Sequence, residues 1–142
     1  MSKTPVPSAT RQLIARQFHY RCSYCQTQQG LTGAMFTLDH IVPESLGGLT
    51  VIENLCLACW DCNRIKQNRV AGIDPETGAS VPLFHPQQQN WLEHFVWSSD
   101  GSRILGQTST ARATVKTMRL NRRSLVQARR KWVEAGWHPP VD

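Results

Sequence analysis

Leu38-Asp39-His40-Ile41-Val42-Pro43, followed by Glu53-Asn54-Leu55 and then Cys59-Trp60-Asp61-Cys62-Asn63-Arg64-Ile65-Lys66, is the stretch that decides the fold of this chain. Its CxxC has an earlier counterpart in Cys22-Ser23-Tyr24-Cys25, with 33 residues between the two pairs. That interval is longer than in compact zinc ribbons, but a folded insertion spans it. In a CxxC turn both sulfurs can address one centre, and four soft thiolates suit Zn²⁺ in a closed tetrahedral shell with no position left for water. Cys22, Cys25, Cys59 and Cys62 are therefore expected to hold a structural Zn²⁺. A redox CxxC or a chance pairing is the alternative, and two pairs weigh against it far more than one. Cys56, in the alternating Leu55-Cys56-Leu57, reads as a small buried hydrophobe.

Around this stretch the patterns are short. Leu13, Ile14, Ala15 and Phe18, preceded by Ser8 and Thr10, predict a helix over residues 9–18 that delivers the chain to Cys22. Gln26 to Gly30 reads as a loop, Met35 to Leu38 as a strand ending at Asp39-His40, and Pro43 to Gly48 as a loop with no room for a helix. Val51 to Leu57 is a second short apolar segment. Cys59 to about Val70 then predicts a helix, with Gly72 as its stop. The turn cluster Asp74-Pro-Glu-Thr-Gly78 marks the expected boundary between a core of residues 1–72 and an extension of residues 73–142. In the extension a short helix from Pro86 carries Trp91, Leu92 and Phe95. A turn at Ser98 to Gly101 joins strands Phe95–Trp97 and Arg103–Gly106, and Asn121 caps a basic helix through Ala135. The expected class is α+β, with a mainly helical extension.

Asp39-His40, the Gly47-Gly48 pair, Glu53-Asn54-Leu55 and CxxCNxxK together resemble the HNH endonuclease family over residues 20–70. The resemblance implies a treble-clef-like ββα-metal core braced by two zinc knuckles. His40, Asn54 and Asn63 fall on the three name positions, the last an asparagine where the family name has histidine. It also implies cleavage of DNA from the minor groove, leaving 5′-phosphate and 3′-hydroxyl ends.

Hydrolysing a phosphodiester needs a base for the attacking water, a cation for the charge growing on phosphorus, and help for the leaving 3′ oxygen. Asp39 and Asn63 offer one anionic and one neutral oxygen donor, a partial set suited to Mg²⁺ or Mn²⁺. By resemblance they are the catalytic metal ligands. His40, with a near-neutral intrinsic pKa, is the expected general base. Neighbours on a strand point to opposite sides, so Asp39 and His40 can serve one site only if the strand bends or ends there. Asn54, by resemblance, orients the catalytic loop and the histidine through hydrogen bonds. Lys66, one turn beyond Asn63, either reaches a phosphate or is a solvated helix lysine.

The chain of 142 residues carries 16 Lys+Arg against 10 Asp+Glu, a formal charge of +6 that suits an anionic partner. No apolar run approaches the roughly 20 residues of a membrane span, and the stretch from Met1 to Ser8 lacks the apolar core of a secretion signal. A cytoplasmic protein is expected. Arg112, Lys116 and Arg119 form a basic stripe, and Arg64, Arg122, Arg123, Arg129 and Arg130 join Lys66 as expected phosphate contacts. Trp91, Phe95, Trp97, Trp132 and Trp137 read as core more than as a base-stacking surface. The expected function is a metal-dependent DNA endonuclease that nicks double-stranded DNA with low sequence specificity. Two rivals stand beside it: a zinc-braced nucleic-acid-binding module without cleavage, and a protein-interaction or regulatory domain on the same scaffold.

Overall fold

The computed structural model describes residues 4–141; the first three residues of the stretch read for a secretion signal, and the last residue of the extension, lie outside it. The class is α+β, with small two-stranded antiparallel sheets and helices. The chain divides into two compact units. One runs to Val70 and takes in His85–Gln88; the other comprises Ala71–Phe84 and the chain from Gln89 onward. No helix among the described residues is long and apolar enough to cross a membrane.

The first unit opens with α1 (Ser8–Gln17), which buries Ile14 and carries Arg16 in its last turn, where a cation complements the helix dipole. His19 and Tyr20 both adopt left-handed backbone, turning the chain sharply into the first cysteine knuckle. The knuckle is pinned through Ser23, whose N–H and hydroxyl both donate to Leu57 O, at 2.8 and 2.6 Å. A single helical turn, α2 (Gln29–Thr32), occupies the end of the segment read as a loop. β1 (Thr37–His40) and β2 (Leu55–Ala58) then pair antiparallel, with Asp39 opposite Cys56 and His40 opposite Leu55. β2 leads directly into α3 (Trp60–Lys66), so the strand, strand and helix form a continuous ββα unit.

The loop between β1 and β2 is shaped by Asn54 and two glycines. Asn54 acts as a surrogate strand: its Oδ1 accepts from Val42 N at 2.8 Å, while its Nδ2 donates to Val42 O and Leu49 O, each at 2.9 Å. Gly47 takes φ 88° to end a 3-10 turn over Glu44–Leu46, a turn in the place read as having no room for a helix. Gly48 meets a different demand, because a Cβ there would overlap the Val42 carbonyl and press on Asn54. Only a bare backbone lets the loop lie this close to Val42.

α3 is shorter than the predicted helix. Gln67 leaves helical geometry at φ 53°, ψ −126°, so the chain turns away after Lys66 and Gly72 is not a helix stop. Instead Gly72 lies in β3 (Ala71–Ile73), paired with β4 (Ser80–Pro82) in a hairpin that the sequence patterns do not disclose. The second unit continues with a helical turn, α4 (Trp91–His94), and a second hairpin of β5 (Phe95–Trp97) and β6 (Ile104–Gly106). Two longer helices follow, α5 (Ser109–Thr117) and α6 (Arg123–Glu134). Trp91 stacks on Phe95 at 5.0 Å between ring centres, and Phe84 meets Phe95 edge-on at 5.2 Å, so these aromatics are core, whereas Trp137, also read as core, is exposed.

Two expected roles in this unit are corrected. Asn121 is not a helix cap: its carboxamide grips Ile104, accepting from N at 2.7 Å and donating to O at 2.8 Å, and Arg122 holds the N-cap position of α6. Arg112 leaves the basic stripe, because its guanidinium is bidentate on the buried carboxylate of Asp74, at 3.1 and 2.9 Å. Ser109 Oγ donates to the same carboxylate at 2.7 Å, fastening the β3–β4 turn to the first turn of α5.

Arg112, Ser109 and the Glu76 N–H hold the Asp74 carboxyl far below its ordinary range. A carboxyl depressed on folding contributes stability above its unfolded pKa of about 3.9 and loses it as pH falls toward the folded value. The stability advantage of the wild-type chain over Asp74→Asn is therefore expected to shrink as pH is lowered from about 5 to about 2. Urea denaturation across that range checks this, and an advantage independent of pH contradicts it.

Candidate functional site

The four cysteines of the two knuckles come together. Their sulfurs lie within 4.8 Å of one another and all four residues are buried. Zn–S bonds of about 2.3 Å in a tetrahedron place sulfurs about 3.8 Å apart, and the Cys25 and Cys59 sulfurs are separated by 3.8 Å. None of the cysteines is in a disulfide. Burial, with the neighbouring thiols, pushes the Cys22 thiol well above its ordinary range, whereas hydrogen bonds from Cys22 and the other thiols hold Cys25 below it. Four buried thiols crowded together cannot all ionise without a cation to balance them, so the donor set fits Zn²⁺. The geometry also ties the cage to α3, since Cys59 is its N-cap and accepts from Cys62 N at 3.4 Å. Cys56 stands apart from the cage, buried, with its thiol pushed up by burial and by the nearby Asp39 charge.

Immediately beyond the cage, Asp39, His40, Glu44, Asn63, Arg64 and Gln67 are among the residues lining a cavity of about 330 Å³. β1 ends at His40, and that ending brings two consecutive residues to one cavity where a continuing strand would separate them. Asn63 arrives from the first full turn of α3 and Asn54 supports the loop from below through Val42 and Leu49.

Asp39 is only 3 % exposed, and its partners concentrate on one oxygen. Tyr24 Oη donates to Oδ2 at 2.7 Å, Lys66 Nζ lies 3.0 Å from the same atom, and the Cys56 thiol points to it at 3.8 Å. Oδ1 is thereby the oxygen left for the cavity. Asn63 lines the same cavity, and a carboxylate with a carboxamide is a hard oxygen donor set of the kind Mg²⁺ or Mn²⁺ takes while retaining waters. These residues fit such an ion.

Lys66 requires a correction. It is not available to a phosphate, being 2 % exposed with its ammonium directed inward. Besides Asp39 it meets His40 O at 3.1 Å and Ile41 O at 3.0 Å, so each of its three N–H groups has an acceptor. Arg129 is corrected likewise: fully buried, it donates to Ser102 O, Leu120 O and Asn121 Oδ1 and lies over the Trp97 ring at 5.2 Å. Arg64, Arg123 and Arg130 are exposed, and Arg122 is half-buried with Nη1 on Arg119 O at 3.2 Å.

Sequence reasoning missed Tyr24, Glu44 and Thr50. Tyr24 sits inside the first CxxC, where a hydroxyl reaching toward Asp39 has no spacing signature. Thr50 Oγ1 is 2.9 Å from His40 Nε2 and donates to Glu44 Oε1 at 3.1 Å, a contact that depends on loop closure rather than on periodicity.

A zinc-fitted cage feeding a ββα unit defines the architectural class. Residues 22–69 match the family model described as HNH endonuclease, and that segment contains the whole cage and the cavity residues Asp39, His40, Glu44, Asn63, Arg64 and Gln67. The match supports a nuclease or nucleic-acid-related function in general. Searches of curated proteins and of solved structures give no match.

Removing one partner of a buried ion pair leaves an uncompensated charge, at a cost of about 3–5 kcal/mol. Lys66→Met is expected to lose stability of that order. Arg64→Ala, which removes an exposed pair with Asp61 at 3.3 Å, is expected to change stability by less than about 0.5 kcal/mol. Urea unfolding of the zinc-loaded proteins checks the contrast, and equal losses contradict it.

Proposed function

We propose that this chain is a metal-dependent endonuclease that hydrolyses phosphodiester bonds of double-stranded DNA, nicking one strand at a time with low sequence specificity. The observation that carries the reading is the convergence of Asp39, His40 and Asn63 on one cavity at the end of β1. Asp39 and Asn63 would hold Mg²⁺ or Mn²⁺, which when bound supplies charge for the phosphorus-centred transition state and the leaving oxygen. His40 takes a proton from water as the water oxygen bonds to phosphorus. The P–O3′ bond breaks and the leaving oxygen takes a proton from a solvent water, leaving a 5′-phosphate and a 3′-hydroxyl. Asn54 keeps the loop after His40 in place by holding Val42 through both of its backbone groups. Arg64 at the cavity wall, and the exposed Arg123 and Arg130, are cations able to neutralise phosphates without reading bases.

The test is incubation of supercoiled plasmid with zinc-loaded protein and Mg²⁺, Mn²⁺ or a chelator at a concentration that leaves zinc in place. Nicked circles are expected with added metal, and His40→Ala is expected to slow nicking at least about 100-fold while retaining salt-dependent DNA binding. Plasmid left intact under every metal, or cut equally by His40→Ala, contradicts the nuclease. Binding without cutting by the wild type replaces it with the zinc-braced binding module.

A further inference from the structure

The hydrogen-bond directions around His40 carry more than its position. The Thr50 hydroxyl has one hydrogen, and it is directed to Glu44 Oε1 at 3.1 Å. Thr50 Oγ1 is therefore an acceptor toward the imidazole, 2.9 Å away at Nε2. A hydrogen bond can form there only if Nε2 carries the proton. Glu44 is itself fixed as an acceptor: the Thr4 hydroxyl donates to Oε1 and the Thr4 N–H to Oε2 at 3.2 Å. Those bonds, with the one from Thr50, hold the Glu44 carboxyl below its ordinary range.

We infer that Glu44 and Thr50 are positioning residues that fix His40 in the Nε2–H tautomer and so present Nδ1 as its basic nitrogen. The inference rests on the nuclease reading for its consequence in catalysis, but not for the tautomer itself. The logic is that of any neutral histidine: the hydrogen bond made by one ring nitrogen decides which form the other takes. Glu44 also lies near the ring itself, with Oε1 3.7 Å from His40 Nε2.

Long-range ¹⁵N–¹H NMR of zinc-loaded protein, at a pH well above the ordinary imidazole value of about 6.5, reads the tautomer directly. His40→Ala identifies the His40 signals among the five histidines. The wild type is expected to show a pyridine-like Nδ1 and a pyrrole-like Nε2 at His40. Thr50→Val, which keeps the shape but removes the acceptor, is expected to average the two nitrogens and lower kcat for nicking by about 10–100-fold with KM little changed. Thr50→Ser should restore both readouts, and Glu44→Gln should give intermediate values. A proton on Nδ1 in the wild type, or a His40 tautomer unmoved by Thr50→Val in folded, zinc-loaded protein, overturns the inference. If the tautomer responds as expected and no variant cuts DNA, the positioning stands and the nuclease reading fails.

Discussion

The ion pair between Lys66 and Asp39 is the constraint on which the first unit depends. Two charges almost wholly removed from water are tolerable only if every lone pair and proton is used well, and here the ammonium spends its three donors on Asp39, His40 O and Ile41 O. Those acceptors belong to the end of β1, while Lys66 belongs to the last turn of α3. One side chain thus fixes the strand end against the helix and orients the carboxylate that faces the cavity. Tyr24 brings the first cysteine knuckle into the same arrangement by donating to the same carboxylate oxygen. Zinc cage, strand end and helix are joined through a single atom, Asp39 Oδ2.

Where chemistry imposes spacing, the sequence is readable. Thiolates around one zinc must occur in close pairs, so the cage could be assigned from Cys22, Cys25, Cys59 and Cys62, whose sulfurs do converge. A strand that must end for Asp39 and His40 to share a site does end at His40. Burial of cations is not readable in this way. Nothing in the sequence around Lys66 or Arg129 marks them as interior, and acceptors brought from elsewhere in the chain, the Asp39 carboxylate among them, make their buried positions tolerable. The end of α3 is similarly hidden, because glutamine at position 67 gives no local sign that its backbone turns left-handed. The strands of the β3–β4 hairpin are three residues each, with a glycine in one and a proline in the other, too short for alternation to register.

Carboxamides recur as substitutes for missing strand partners. Asn54 holds Val42 by N–H and C=O in the first unit, and Asn121 holds Ile104 by the same two groups in the second. Each satisfies backbone groups where a short hairpin runs out, which a hydrophobic side chain could not do. In the first unit this use bears on the cavity, since the loop held by Asn54 follows His40 and contains both Glu44 and Thr50. A buried imidazole, 4 % exposed, is kept at the cavity by hydrogen bonds rather than left to choose its orientation.

The central claim is that Asp39 and Asn63 complete a hard-cation site beside that imidazole. Titration of zinc-loaded protein with Mn²⁺, followed by electron paramagnetic resonance, tests it most directly. The account predicts one bound Mn²⁺ per chain that is lost or greatly weakened in Asn63→Ala while zinc content is unchanged. Mn²⁺ bound equally by the variant, or no bound Mn²⁺ in the wild type, would contradict it.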